Sequence, residues 1–92
     1  MLYIFFGHRG WIASHFLPLL NRAGHTVVLP QKYADDTAYV EKLITVHNPD
    51  GIICFVGRHD KDKDDLHKNV RDNLFTPVLL SMLCNKYGIH LT

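Results

Sequence analysis

The sequence has few cysteines, no long apolar run and almost no net charge, and each shortage excludes a class of protein. Its two cysteines, Cys54 and Cys84, lie within apolar stretches and not in a spaced framework, so we expect reduced, buried thiols. Ten basic residues against nine acidic ones leave a net charge of +1, which gives no electrostatic basis for binding nucleic acid or a membrane surface. The apolar run at residues 2–6 is too short for a signal peptide or a membrane span. We therefore expect a cytoplasmic protein.

The sequence also lacks a convincing metal-binding motif. Asp60, Asp62 and Asp64 have the alternating spacing of a calcium-binding loop. However, Asp65 occupies the position at which that loop turns on a glycine, and Arg71 occupies the position of its chelating glutamate. We expect a solvated, charged loop at residues 58–65 and no metal site.

The apolar residues that are present predict alternating strands and helices. Apolar runs typical of buried strands lie at residues 2–6, 25–29 and 52–56, and residues 89–92 start a fourth strand. Helical spacing of apolar residues separates these runs, and short connections between parallel strands require helical crossovers. We therefore predict one α/β domain over residues 1–92: a Rossmann-like parallel sheet in the order 3-2-1-4, with helices on both faces, truncated after the fourth strand.

Two predicted helices contain a proline. Pro18 predicts a kink or an early end of the first helix, and Pro77 predicts a bend in the last one. The apolar positions expected on the buried face of the last helix are Val70, Leu74, Leu79, Leu83 and Tyr87.

The stretch FFGHRGWIAS places two glycines between the first strand and the first helix. Gly7 permits a tight turn, Gly10 lets a pyrophosphate approach the backbone without meeting a Cβ, and Ala13 keeps the helix close to the sheet. The free N–H groups at the start of the helix favour a phosphate. This context predicts dinucleotide binding, and the alternative is a packing turn without a ligand.

The end of the second strand bears on which dinucleotide is bound. Residues 29–32 contain no carboxylate for the ribose hydroxyls of NAD, whereas Arg9 and Lys32 could meet a 2′-phosphate. The sequence therefore favours NADP over NAD, with NAD still possible. His8 could contact a phosphate or lie on the surface, and Trp11 could cover the phosphates or pack on the sheet edge.

Three segments together resemble the extended short-chain dehydrogenase/reductase family. They are the glycine turn FFGHRGWIA, the strand segment HNPDGIICFVGR and the helix NLFTPVLL. Within that family, Gly-Trp-Ile and the Val-Gly-Arg after the third strand are most similar to the nucleotide-sugar 3,5-epimerase/4-reductases of rhamnose synthesis. The related 4-keto-rhamnose reductases share the Asn-x-x-x-Pro pattern.

The resemblance implies a cofactor site built from three parts of the chain. It assigns Gly7, Arg9, Gly10, Trp11 and Ile12 to the pyrophosphate turn, Phe55, Val56, Gly57 and Arg58 to the path from adenosine to nicotinamide, and Asn73 to a helix position that braces the site. His8 and Lys32 complete the set of predicted cofactor-binding residues.

The catalytic Tyr-x-x-x-Lys pair of the family is missing from these residues. The four tyrosines, Tyr3, Tyr33, Tyr39 and Tyr87, are followed four positions later by Gly7, Thr37, Leu43 and Leu91. Because this reduction needs an acid that protonates the carbonyl, we predict no catalytic residue in the chain. The resemblance then implies the cofactor-binding portion of an enzyme that acts on a 4-keto-6-deoxy-hexose nucleotide, binding cofactor alone without turnover.

Two other functions fit the same residues. One is a non-catalytic Rossmann module that senses a nucleotide, and the other is an assembly module with an unliganded fold. A sheet that stops at its fourth strand exposes an edge, so we also predict a homodimer or a strand-exchanged oligomer.

Overall fold

The computed structural model describes residues 1–57 and 66–92, which form a four-stranded sheet with helices against it. Its elements are β1 (Leu2–Phe6), α1 (Trp11–Arg22), β2 (Thr26–Val28), α2 (Thr37–His47), β3 (Gly51–Cys54), α3 (Leu66–Val70), a π-helical segment (Arg71–Phe75), α4 (Thr76–Tyr87) and β4 (His90–Leu91). Residues 58–65, for which a charged loop is predicted and which include the predicted site residue Arg58, lie outside the described residues.

All strand pairs in the sheet are parallel, and the order is β2-β1-β3-β4. The Rossmann-like α/β fold is therefore confirmed, but the predicted order 3-2-1-4 is wrong because β3 pairs with β1 and not with β2. Ile4 lies opposite Ile52 and Phe5 opposite Ile53, and all four side chains are buried. Strands that are apolar on both faces belong in the centre of a sheet. The shorter β2 begins at the exposed Thr26 and takes the edge.

Helices cover both faces of the sheet, as predicted. On one face α1 packs against β1 and β3 through a core of Phe5, Ala13, Leu20 and Ile53. On the other face α2 and α4 share a core that includes Ile4, Val40, Ile44, Ile52, Leu80 and Leu83. The chain thus leaves β1 towards one face and leaves β3 towards the other. No helix among residues 1–57 and 66–92 is long and apolar enough to cross a membrane.

The two prolines have different effects. Pro18 lies inside α1, yet the helix continues to Arg22, so the predicted early end is wrong. Pro18 is on the exposed side, where water can replace the hydrogen bond that its ring removes. Pro77 lies in the first turn of α4, directly after the π-helical segment, in which the Thr76 N–H donates to the carbonyl of Arg71, five residues back.

The buried face of this last helix differs from the predicted one. Leu83 is buried as expected, but Val70 and Leu74 are exposed. Asp72 and Thr76 occupy the inner face at this end of the helix. There the helix faces a cleft above the sheet edge and not the apolar core, so polar residues replace the leucines on its inner side.

Candidate functional site

The turn after β1 has the geometry of a backbone anion site. Gly7 has φ +86°, in the left-handed region that glycine favours. The Gly10 N–H donates to the Gly7 carbonyl across the turn, with an N···O distance of 3.2 Å. Gly10 is then the extended N-cap of α1, with φ −78° and ψ 165°. Within four residues the chain passes from strand to helix.

Gly7 is required by a contact between β1 and the segment that follows β3. A Cβ at Gly7 would lie 2.6 Å from the carbonyl carbon of Phe55 and 2.8 Å from the nitrogen of Val56. Directly before it, the Phe6 carbonyl accepts the N–H of Phe55 at 2.9 Å. Backbone therefore packs on backbone here, and any larger residue would force the two segments apart.

Gly10, unlike Gly7, has room for a side chain. A Cβ there would meet only the Gly7 carbonyl oxygen, at an ordinary 3.5 Å, so the space in front of the turn is open. Gly10 provides no side chain that could cap the first N–H groups of α1. These groups and the helix dipole make the helix start a favourable place for a phosphate.

A cleft of about 330 Å³ lies beside this turn. It is at the carboxyl ends of β1 and β3, where the chain leaves towards opposite faces of the sheet, which is the usual ligand position in open α/β folds. Its lining consists of Phe6, Gly7, His8, Arg9, Gly10, Pro30, Gln31, Lys32, Tyr33, Ala34, Phe55, Val56, Gly57, Asp72 and Thr76.

The cleft brings together most of the residues predicted to bind cofactor. Gly7, His8, Arg9, Gly10, Lys32, Phe55, Val56 and Gly57 all line it, although they come from three separate parts of the chain. Asn73 is outside the lining but next to it, since a Cβ at Gly57 would lie 3.5 Å from its side-chain oxygen. The bracing role that the resemblance implies for Asn73 stays a prediction.

Trp11 and Ile12 lie outside the lining of the cleft. The Trp11 side chain is 78% exposed and makes an edge-on contact with the His15 ring, with 4.6 Å between the centroids. It therefore does not pack on the sheet edge, which was one of its two predicted positions. Ile12 is also exposed, and the assignment of both residues to the pyrophosphate turn stays a prediction.

The segment after β2 carries the cationic side of the cleft. Lys32 is exposed, and its Nζ lies 5.5 Å from the centroid of the Tyr39 ring. The hydroxyl of the same tyrosine accepts the Gln31 N–H at 3.0 Å, which fixes the start of the segment. The Asp36 carboxylate accepts the Tyr39 N–H at 3.1 Å and is the N-cap of α2.

Sequence reasoning missed the helical wall of the cleft. Asp72 is only 6% exposed, and its carboxylate pairs with the Arg71 guanidinium through Nε at 2.8 Å and Nη2 at 3.2 Å. Thr76 is buried one turn later. The signal was present, because Asp72 and Thr76 precede the buried Leu80 at a spacing of four, which puts polar residues in line with a core position.

Burial makes both cysteine thiols poorly reactive. Both thiols are free, and burial raises the pKa of Cys84 to about 11 and also raises the pKa of the half-buried Cys54. At neutral pH they are protonated, as expected of structural thiols. The part of the chain that the structure describes also holds no cluster of side chains suited to a metal ion.

Protein L780 and its crystal structure match almost the whole of this chain. No protein-family profile matches the chain. Protein L780 of Acanthamoeba polyphaga mimivirus, uncharacterized among the curated proteins, is 37% identical over 102 residues, covering 100% of this chain and 35% of L780. The crystal structure of the L780 UDP-rhamnose synthase matches with a TM-score of 0.91 at 38% identity, over 99% of this chain and 35% of that one.

More distant structures share the fold. The UDP-glucose 4-epimerase of Thermus thermophilus, solved with NAD, matches with a TM-score of 0.83 at 20% identity, over 99% of this chain and 36% of that one. A dTDP-4-dehydrorhamnose reductase of Clostridium acetobutylicum matches with a TM-score of 0.86 at 16% identity, over 99% and 34%. The chain thus spans about a third of the length of these proteins. These matches confirm the resemblance that the three motifs indicate, to the epimerases and reductases of the extended short-chain dehydrogenase/reductase family.

Proposed function

We propose that the chain binds a nicotinamide dinucleotide in the cleft, with the pyrophosphate over the turn from Gly7 to Gly10. The observation that carries this proposal is the open space in front of Gly10, where α1 begins without a side-chain cap. The cleft beside it lies where the chain leaves β1 and β3 towards opposite faces of the sheet. The cleft volume lies within the range of about 300–1,000 Å³ that is usual for small-molecule sites. Structures of more distant relatives with NAD support this choice of ligand class.

We propose NADP(H) as the preferred form. Arg9 and Lys32 both line the cleft, Arg9 from the turn after β1 and Lys32 from the segment after β2. The nearest carboxylates along the chain are Asp35, which is outside the cleft lining, and Asp36, which is engaged as the α2 cap. A 2′-phosphate would thus meet two cations.

The similarity to the L780 UDP-rhamnose synthase supports the wider role. We propose that residues 1–92 are the cofactor-binding Rossmann portion of a nucleotide-sugar reductase or 3,5-epimerase/4-reductase, whose substrate is a 4-keto-6-deoxy-hexose nucleotide. The bound cofactor would supply the hydride, while this chain's residues bind and orient it. With no Tyr-x-x-x-Lys pair in its sequence, the chain alone binds without turnover.

Binding is tested by calorimetric titration and by thermal unfolding with NADPH and with NADH. At 100 times the dissociation constant, binding adds ~2.7 kcal/mol to stability, which raises the Tm of a domain of this size by roughly 10–20 °C. We expect both coenzymes to bind, NADPH more tightly. No heat and no Tm shift with either would refute the proposal, and oxidation of NADPH by a 4-keto-6-deoxy sugar nucleotide would refute the absence of turnover.

A second candidate is a non-catalytic module that senses a nucleotide, which would use the same cleft. The two functions differ in whether the nicotinamide matters. A sensor of the adenosine half binds ADP-ribose 2′-phosphate as tightly as NADPH, whereas an enzyme's cofactor site loses affinity when the nicotinamide is removed.

We also propose that the chain self-associates. Exposed apolar side chains recur every four residues along α3, the π-helical segment and α4. They are Leu66, Val70, Leu74, Val78 and Met82. Apolar rows of this length are usually covered in solution. Light scattering should give a dimer or a strand-exchanged oligomer, and a strictly monomeric mass at high concentration would contradict this.

A further inference from the structure

One face of the Tyr33 ring is already occupied. The guanidinium carbon of Arg71 lies 4.0 Å from the Tyr33 centroid, a close cation–π contact. Arg71 lines a neighbouring groove together with Asp35, whereas Tyr33 lines the cleft and is 63% exposed. Arg71 thus covers one face of the ring, and we expect the opposite face, here called the inner face, to be the one that a ligand in the cleft contacts.

Arg71 is itself held by a buried carboxylate. Its two parallel contacts with Asp72 have the fork geometry that fixes a guanidinium plane. Both residues belong to the π-helical segment, a feature that is frequent at functional sites. The connection between β2 and α2 is thus tied to the helix on the other side of the cleft through one stacked pair.

The order of groups along the cleft indicates what the inner face of Tyr33 meets. With the pyrophosphate at the glycine turn and the 2′-phosphate at Lys32, as in the proposed function, the ribose lies beside the end of β2. A base on that ribose would then lie close to Tyr33, which follows Lys32 in the chain and also lines the cleft. A purine offers a flat face, and aromatic side chains stack on such faces.

We propose that Tyr33 stacks on the adenine base of the dinucleotide, and that Arg71 and Asp72 are positioning residues that hold its ring. Arg71 fixes the ring before the ligand arrives, so the platform loses little side-chain freedom on binding. This inference rests on the proposed function and adds the residue that recognises the base.

The direct test is Tyr33→Ala, measured with NADPH, NADH and adenosine 2′,5′-bisphosphate. All three contain the adenine base, so we expect each affinity to fall by roughly ten-fold or more, the usual effect of losing one stacked base. Tyr33→Phe retains the ring and should bind as the wild type does. Arg71→Lys keeps a cation for Asp72 but loses the planar fork, so its losses should lie between those of the other two variants.

Two controls separate stacking from a general loss of structure. Lys86→Ala removes a similar contact, 5.3 Å above the Tyr87 ring near the end of α4, and should leave all three affinities unchanged. Lys32→Gln should change the ratio of NADPH to NADH affinity. In contrast, Tyr33→Ala should lower both by the same factor and leave nicotinamide mononucleotide, which has no purine, unaffected.

The possible failures are distinct. If the wild type binds NADPH but Tyr33→Ala binds it equally well, the stacking role is wrong while the proposed function stands. If Tyr33→Phe loses as much as Tyr33→Ala, the hydroxyl and not the ring face is used, and the stacking role is again wrong. If the wild type binds no coenzyme, the proposed function fails and the stacking role fails with it.

Discussion

Replacing either turn glycine with alanine should impair a different property: Gly7→Ala should lower stability, and Gly10→Ala should lower coenzyme affinity. At Gly7 the φ of +86° costs an alanine ~1–2 kcal/mol. The added Cβ would also lie 2.6 Å from the Phe55 carbonyl carbon, and relieving such a clash costs typically ~1–3 kcal/mol. The sum of about 2–5 kcal/mol is a large share of the roughly 5–15 kcal/mol that stabilises a whole domain.

Gly10→Ala is the matched control, because it adds the same methyl group three residues later. Its φ and ψ are ones that alanine adopts readily, and its Cβ would meet only one atom at 3.5 Å. The loss of a glycine N-cap costs roughly 0.5–1 kcal/mol. The reduced freedom of the unfolded chain returns about 0.4–1 kcal/mol. We expect a net change near zero in stability and a clear loss of NADPH affinity, because the methyl group enters the phosphate position.

Urea unfolding followed by far-UV circular dichroism measures the stability of both variants, and calorimetric titration measures their binding. Circular dichroism is preferable to fluorescence because Trp11 is exposed in the folded state and is a poor reporter of packing. If Gly7→Ala had the wild-type urea midpoint, the backbone contact described above would be wrong. If Gly10→Ala were as unstable as Gly7→Ala, or bound NADPH normally, the division of roles between the glycines would be refuted.

Three further predictions concern other parts of the chain. Lys32→Gln should weaken NADPH binding by roughly three- to ten-fold, as expected for an exposed charge contact, and leave NADH binding unchanged in calorimetric titration. The hydrogen bond from the Tyr87 hydroxyl, followed by that from Lys86, lowers the pKa of Glu41 below its ordinary 4.5. The stabilisation is therefore present above this value and is lost as the pH falls through the lower folded pKa, so the Tm advantage of the wild type over Glu41→Gln should disappear in acid. Iodoacetamide at neutral pH should leave Cys84 unmodified in the folded protein and label it in urea, because burial raises its pKa to about 11; rapid labelling of the folded protein would contradict this.

The sequence predicted most elements because their signals are local. The bounds of β1 agree with the apolar run that precedes Gly7, and α1 begins at Trp11 as the glycine spacing indicated. The assembly of the cleft from three chain segments also followed, because parallel strands bring their carboxyl ends to one edge. The strand order did not follow, since it depends on which apolar strands compete for the centre of the sheet.

The helical wall was not predicted for a related reason. A search for apolar periodicity selects leucines, and it placed Val70 and Leu74 inside. The inner positions there are Asp72 and Thr76, whose polar groups face a cleft that exists only once the sheet has formed. Arg71 stacks on Tyr33 although the two residues are far apart in the chain, so no local sequence pattern predicts this contact.

The contact of Gly7 with the backbone of Phe55 also bears on how fast a ligand can bind. Because this turn packs directly against a neighbouring main chain, we expect it to keep one conformation with and without ligand. The Phe55 amide beneath it should be among the slowest in the domain to exchange with deuterium, whether or not coenzyme is present. We therefore expect coenzyme to bind without a preceding rearrangement of the turn. The observed association rate should then rise in proportion to coenzyme concentration and should not level off.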